Sequence, residues 1–142
     1  MEKHGLLVRP SCVDRTFDEQ AAYWAQGREP LDHVNKLRAV ANLAKITMDE
    51  NKRRVTWTWA SDHLTNMDDE DPNNDKSRAI DFFIVRYSES GKELAMWDVK
   101  ADVNKDGFSD YMQCIEIAKA CGFLSGADWK KNPDFPHLYV KV

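Results

Sequence analysis

Hydrophobic positions in the first third of the chain recur at helical spacing. Thr16 and Glu19 form a capping-box sequence ahead of an alanine- and aromatic-rich run, and Gly27 is the residue type that commonly ends a helix. A second run, from Leu31 to Ile46, places apolar side chains three and four residues apart. The pattern therefore predicts two consecutive helices near the N-terminus.

The hydrophobic period then changes from helical to extended. Four segments have the composition or alternation of strands: 55–59, 79–87, 93–97 and 137–142. Segment 79–87 is apolar on both faces, as a central strand should be, and a further helix is predicted over 109–121. We expect an α+β fold, in which N-terminal helices and one late helix pack on a small, mostly antiparallel sheet.

Length and composition limit the number of domains and the partners. A chain of 142 residues with 42% hydrophobic and 31% charged residues is ordinary for one domain, which we expect to span 1–142. The net charge of -4 gives no reason to expect nucleic acid as a partner. No apolar run approaches the ~20 residues of a membrane span, so we expect no membrane insertion and no signal peptide.

The three cysteines are predicted to be reduced thiols. Cys114 and Cys121 lie on one predicted helix, about 10 Å apart by helical rise. That distance is too long for a disulfide, and Cys12 has no obvious partner in the sequence.

Two histidines and one carboxylate mark a candidate metal site. His63 follows a predicted strand, and His137 begins another. Asp81 lies within the apolar strand, where a carboxylate is costly unless something pairs with it. Two imidazoles, one carboxylate and an open fourth position form a catalytic zinc set, and Asp134 could take a proton from water there. On spacing alone, structural histidines at strand ends are the alternative.

Several segments, in order along the chain, resemble the motifs of one known family. Its R-T-x-x-E-Q and Y-A-Q-G-R elements are similar to residues 15–20 and 23–28, and the two ends of its S-x-H-x-x-G-x-A-x-D motif to residues 61–63 and 77–82. Its G-F-x-W-G-G-D-W-K and D-x-P-H elements are similar to residues 122–130 and 134–137. The family is that of the zinc D-alanyl-D-alanine carboxypeptidases and L-alanyl-D-glutamate endopeptidases, and the match is closer to the endopeptidase branch that phages use as endolysins.

The resemblance implies a role for each matching residue. Zinc would be held by His63, Asp81 and His137. Asp134 would be the general base, and Arg15 would stabilise the developing oxyanion. The residues that orient the substrate or its neighbours would be Gln20 and Ser61.

The resemblance also implies a biological setting. The substrate would be the stem peptide of peptidoglycan, cut at the L-alanyl-D-glutamate bond by a monomer with no separate wall-binding domain. Without a signal peptide, an endolysin would collect in the host cytoplasm and reach the cell wall after the membrane is permeabilised. A D-alanyl-D-alanine carboxypeptidase is the alternative within the same family.

One departure from the family pattern concerns the spacing of two predicted ligands. An acidic insertion, residues 66–76, separates His63 from Asp81, and Ser77 stands where the family has glycine. A zinc site constrains positions in space rather than in sequence, so an inserted loop is compatible with it. A relative that has lost zinc and acts only as a calcium-binding or wall-binding module is the alternative.

A second metal motif lies before the late helix. Asp102, Asn104 and Asp106 alternate and are followed by Gly107, as in the first half of an EF-hand calcium loop. The twelfth position is Gln113 rather than glutamate. The motif therefore indicates either a single calcium site or an acidic turn that caps the helix.

A function of another class is a metal-dependent nuclease. Asp81 and the segment Asp98-Val99-Lys100 resemble the D…(D/E)-x-K arrangement of such enzymes. This pattern arises easily by chance, the chain is acidic, and the reading leaves His137 and the Arg15 helix unexplained. The peptidase is the favoured interpretation.

Overall fold

The computed structural model describes residues 5–65 and 77–141, which divide into two compact units. The sheet unit is formed by the described residues of 1–13 and 78–142, and the helical unit by those of 14–77. Together they contain three α-helices and five strands, so the predicted α+β class is confirmed. The acidic insertion 66–76, predicted to be a loop, lies outside the described residues.

The sheet unit is built around β2 (Ala79–Tyr87), the strand predicted to be central. One edge of β2 pairs with β1 (Val8–Cys12), and the other pairs with β3 (Glu93–Met96) and β5 (His137–Tyr139). The two-residue strand β4 (Leu124–Ser125) adds to the far side of β5. All of these pairings are antiparallel. Because β2 pairs along both of its edges, its residues have neighbouring strands on two sides.

The strand β1 has no counterpart among the predicted strands. Its sequence, VRPSC, contains Pro10 and lacks a regular apolar alternation. Proline is tolerated there because β1 lies at one end of the strand order, where a missing N–H leaves no ladder bond unmade. Tertiary pairing with β2, rather than local propensity, makes this segment a strand.

The late helix packs the core of the sheet unit. This helix, α3 (Asp110–Ala120), begins where predicted, and the Ser109 side chain caps it by accepting from the Met112 N–H. Its buried face meets buried residues of β2 and β5 in one apolar cluster, with members Leu6, Phe82, Ile84, Tyr111, Cys114, Ile115, Ala118 and Leu138. Burial of this face fixes α3, and with it the chain that leads back to β5.

The helical unit begins as the sequence predicts. In α1 (Phe17–Ala25), Thr16 and Glu19 form the capping box, and Gly27 follows the helix with a φ of 77°. Among the described residues, no helix is long and apolar enough to cross a membrane.

The second helix, α2 (Leu31–Val40), ends earlier than the predicted Ile46. Asn42 adopts a left-handed conformation with φ 56°, which stops the helix. Beyond it, the Asn35 side chain bonds both the N–H and the C=O of Ile46, at 2.9 and 3.1 Å. Residues 41–46 are therefore an irregular segment that is hydrogen-bonded to α2, rather than more helix.

The predicted strand at 55–59 is wrong, because this segment forms no strand ladder. Side chains satisfy its carbonyls instead: Gln20 Nε2 donates to Thr58 O at 2.6 Å and Arg28 Nη2 to Thr56 O at 3.0 Å. Trp57 and Trp59 of this segment are 60% and 47% exposed, so neither side chain is buried in a core.

Replacing Tyr111 with phenylalanine should lower the free energy of unfolding by about 1 kcal/mol. Tyr111 is fully buried, and its hydroxyl donates to the Met96 carbonyl at 2.9 Å. In the phenylalanine variant the Met96 carbonyl would lose this hydrogen bond. Tyr87→Phe is the matched control, because Tyr87 is 57% exposed and its hydroxyl bonds only the exposed Glu93. Urea denaturation of both variants would contradict this account if their losses were equal.

Candidate active site

A carboxylate and an imidazole meet at the centre of the sheet. Asp81 of β2 and His137 of β5 are directly paired in register. His137 Nδ1 lies 2.9 Å from Asp81 Oδ1, and the two side chains are 8% and 21% exposed. The costly carboxylate of the apolar strand therefore has its partner on the adjacent strand, and the structure brings together two of the three predicted zinc ligands.

The Asp81–His137 pair fits a metal ion. Two ligand atoms at ~2.0–2.1 Å from one tetrahedral zinc ion lie about 3.3 Å apart, close to the observed 2.9 Å. The same spacing serves a direct hydrogen bond, which would orient the imidazole when its other nitrogen binds the metal. In both arrangements an imidazole nitrogen and a carboxylate oxygen are available, which is the donor chemistry that zinc accepts.

Aromatic rings pack around His137. Its imidazole lies 5.1 Å from the Trp129 ring and 5.6 Å from the Tyr139 ring, measured between centroids. Trp129 Nε1 in turn donates to the Tyr139 hydroxyl at 3.3 Å. Both rings lie against the imidazole and limit its rotation.

Asp134 is held close to His137 by the backbone. The Asp134 N–H donates to Gly126 O at 3.0 Å, and the His137 N–H donates to Asp134 O at 3.3 Å. Asp134 itself is exposed, so water and substrate can reach this residue. An exposed carboxylate next to a buried imidazole–carboxylate pair suits a group that transfers protons.

Gly126 permits this turn because it lacks a side chain. A Cβ on Gly126 would lie 2.6 Å from Asp134 O and 3.0 Å from the Cβ of His137. Sequence reasoning assigned Gly126 no role, although it lies inside the G-F-L-S-G-A-D-W-K segment that resembles the family. The close approach of two backbone segments is the physical reason for a glycine at this position.

In the helical unit, Arg15 is held at three points. Its backbone N–H donates to His63 O at 2.8 Å, and its carbonyl accepts from the Thr65 N–H at 3.1 Å. Its guanidinium donates to Gln20 Oε1 at 2.9 Å and lies 4.9 Å from the centre of the Tyr23 ring. The predicted oxyanion-stabilising cation is thus bonded directly to the backbone of a predicted zinc ligand.

Gln20 and Ser61 support these residues. Gln20 is fully buried, and its amide accepts from Arg15 while donating to Thr58 O. Ser61 Oγ accepts from the His63 N–H at 3.3 Å, and His63 is only 3% exposed. Within this unit Gln20 thus contacts Arg15 and Ser61 contacts His63, and the expectation that both residues orient the substrate or its neighbours stays a prediction.

The predicted calcium loop directs side-chain oxygens at its own backbone. Asp102 accepts from the Asp106 and Gly107 N–H groups at 3.1 and 2.9 Å, and Asn104 Oδ1 accepts from the Asp106 N–H at 3.2 Å. Gln113 Nε2 donates to both carboxylate oxygens of Asp106, at 2.8 and 2.7 Å. This arrangement is common to a calcium loop and to an acidic capping turn.

Asp110 adds a feature that a capping turn does not need. It is fully buried at the ninth position of the loop; its Oδ2 accepts from the Val103 N–H at 2.6 Å, and its Oδ1 has no hydrogen-bond partner among the described residues. Burial raises the pKa of this carboxyl, and the negative charges of Asp102 and Asp106 raise it further. The sequence interpretation did not count Asp110 among the ligands, although the ninth position of an EF-hand loop carries one.

Comparison with known proteins identifies a relative. No protein-family model matches the chain. Over 60 residues it is 43% identical to the peptidoglycan L-alanyl-D-glutamate endopeptidase CwlK of Bacillus subtilis (strain 168). The chain is similar to this endopeptidase over that stretch. This identity confirms the resemblance drawn from the motifs. The matching stretch covers 42% of the chain but only 34% of CwlK, about a third of the length of that protein.

Replacing Gly126 with alanine should displace the Asp134 backbone and shift the NMR resonances of the His137 imidazole. The added Cβ meets backbone, which cannot swing away, so we also expect a loss of about 1–3 kcal/mol in the free energy of unfolding. Gly91→Ala is the control, because a Cβ there meets nothing within 4 Å and costs only the strain of a φ of 79°. Unchanged His137 resonances in the Gly126 variant would contradict this role.

Proposed function

We propose that this protein is a zinc-dependent peptidoglycan hydrolase that cleaves the L-alanyl-D-glutamate bond of stem peptides. The observation that carries the proposal is the Asp81–His137 pair, 2.9 Å apart on adjacent strands, with Asp134 bonded to the same turn. The likeness to CwlK, whose name states this activity, supports the choice of bond.

The proposed zinc ligands are His63, Asp81 and His137, as the sequence motifs predict. When bound, zinc would supply Lewis-acid chemistry, polarising the amide carbonyl and making water more acidic. Asp81 and His137 already lie at a spacing close to that of two ligands on one ion. His63 sits in the other unit, in a turn that is fixed by the Ser61 hydroxyl.

Asp134 and Arg15 would carry out the remaining steps. Asp134 accepts a proton as water adds its oxygen to the carbonyl carbon, and it returns that proton to the departing nitrogen as the C–N bond breaks. Arg15 stabilises the negative charge that develops on the carbonyl oxygen, a role that its permanent charge suits. Gln20 and Tyr23 hold the guanidinium, which lowers the entropy lost when the transition state forms.

The biological setting of the proposal is that of a phage endolysin acting as a monomer on the cell wall after the membrane is permeabilised. It rests on the resemblance of the Arg-Thr…Gln-Gly-Arg segment to the endolysin branch. The test below separates this reading from a D-alanyl-D-alanine carboxypeptidase and from a non-catalytic relative.

Incubation of purified stem peptides with zinc-loaded protein should yield a product with a new amino terminus on D-glutamate, detected by mass spectrometry. A chelator should abolish this product and added zinc should restore it. His63→Ala and His137→Ala should lose zinc and activity together, whereas Asp134→Asn should keep zinc and lose about 10²–10⁴-fold in turnover, the usual contribution of a general base.

His33→Ala is the matched control for the histidine variants, because His33 is exposed on α2 and carries no proposed role. Release of a terminal D-alanine would replace the endopeptidase with a carboxypeptidase. Folded, zinc-loaded protein that cleaves neither bond would exclude the proposed hydrolase, and full turnover by the Asp134 variant would exclude its role as base.

We also propose that residues 102–113 bind one calcium ion. The predicted oxygen ligands Asp102, Asn104 and Asp106 line the loop, and Asp110 contributes a buried carboxylate oxygen with no hydrogen-bond donor among the described residues. The buried Asp110 carboxylate is destabilised by desolvation and by the negative charges of Asp102 and Asp106. A bound cation would offset both effects. Because α3 begins within this loop, the ion would stabilise the core of the sheet unit.

Calcium at about 100 times its dissociation constant should raise the free energy of unfolding by about 2.7 kcal/mol, read as a rise in Tm. Asp110→Asn should remove this response and, in chelator, should be at least as stable as the wild type, because it deletes a buried charge. Asp49→Asn, at a carboxylate whose side chain is 86% exposed, is the control and should keep the full response. A Tm that calcium does not change would reject the site.

A further inference from the structure

Asp81 has potential metal ligands on both neighbouring strands. The register of β2 with β5 places His137 opposite Asp81, and the register of β1 with β2 places Cys12 opposite it on the other edge. Residues directly opposite each other in antiparallel strands point to the same face of the sheet. A thiol, a carboxylate and an imidazole therefore form one row across three strands.

A β-bulge brings Cys12 into this row. Val8, Arg9 and Pro10 pair successively with Ile84, Phe83 and Phe82, but the next pair is Cys12 with Asp81, and Ser11 is skipped. In a regular ladder Ser11 would face Asp81 and Cys12 would point to the other face. Bulges commonly re-aim a side chain near a functional site, and this one exchanges a hydroxyl for a thiol.

The distances agree with the register. Cys12 Sγ and a carboxylate oxygen of Asp81 lie within 4.8 Å of each other, and Asp81 Oδ1 lies 2.9 Å from His137 Nδ1. Two atoms bound to one zinc ion as thiolate and carboxylate lie about 3.6 Å apart, from bond lengths of ~2.3 and ~2.1 Å. Only a small movement would be needed for sulfur and oxygen to bind one ion.

The other two cysteines lie in different surroundings. Cys114 is fully buried in the apolar core, where desolvation and the nearby Asp110 raise the pKa of its thiol to about 11. Cys121 is exposed at the C-terminal cap of α3. Cys12 is only partly buried and has a carboxylate and an imidazole in its row, so its position is the one that suits metal binding.

We infer that Cys12 is a metal ligand of this protein, contributing a thiolate beside the carboxylate of Asp81. The inference rests on the proposed zinc function and changes it, because Cys12 would be a fourth protein ligand beside the three proposed ones. Water or the amide carbonyl would then have to enter as a fifth ligand. Thiolate ligands favour zinc, cobalt and cadmium over magnesium and calcium, so the site would select thiophilic cations.

The test uses the 142-residue chain stripped of metal and loaded with one equivalent of Co²⁺. Thiolate coordination gives a charge-transfer absorption in the near ultraviolet that nitrogen and oxygen ligands do not give. Wild type should show this band, and Cys12→Ser should lose it and bind Co²⁺ at least ~10-fold more weakly, since loss of even an outer-shell partner costs ~10–100-fold. Cys121→Ser, the matched control, should keep both the band and the affinity.

A second measurement needs no variant. Zn²⁺ should slow alkylation of Cys12 but leave Cys121 unchanged, as followed by peptide mass spectrometry of the native chain. Stoichiometric Co²⁺ binding without the band, or a band unchanged in the Cys12 variant, would overturn the inference and leave the zinc proposal intact. Failure of the wild type to bind Co²⁺ or Zn²⁺ would overturn both.

Discussion

The carboxylate of Asp81, placed inside an otherwise apolar central strand, is the constraint on which the sheet unit depends. A carboxylate in that position destabilises the fold unless a partner lies within hydrogen-bond or metal-bond distance. His137 provides that partner at 2.9 Å, so β5 must pair with β2 in the observed register. A shift by one residue would turn His137 to the opposite face and leave the carboxylate exposed to apolar neighbours.

Several local features serve this register. Because Gly126 has no side chain, the turn that carries Asp134 passes close to the Gly126 backbone. A Cβ on Gly126 would collide with the Asp134 carbonyl oxygen. Trp129 and Tyr139 pack against the imidazole and limit its rotation. In the helical unit, the Arg15 backbone bonds the His63 backbone, and the buried Gln20 accepts a hydrogen bond from the Arg15 guanidinium. In each unit, the residues predicted to be functional are held by hydrogen bonds or ring contacts to their neighbours.

Elements with strong local signals were predicted well. The capping box fixed the start of α1, the Ser109 cap fixed that of α3, and the apolar run of β2 identified the central strand. The errors fall where side-chain contacts override local pattern. Segment 55–59 has the composition of a strand, yet Gln20 and Arg28 take its carbonyls, and the apolar spacing of α2 continues past Asn42, which ends the helix.

The sequence by itself determined the class of the fold, the candidate site residues and the similarity to an endopeptidase, because these depend on residue types and their order along the chain. Only the tertiary structure decided which side chains meet. Strand register lies in long-range hydrogen bonds, so the sequence predicted Asp81 and His137 as ligands of one site but not their direct pairing across two strands. The bulge that turns Cys12 toward Asp81 has no signal in the local sequence. The strand that contains it includes Pro10 and lacks apolar alternation, so the sequence did not predict a strand there. The burial of the Asp110 carboxylate likewise depends on how the start of α3 packs, which the local sequence does not reveal.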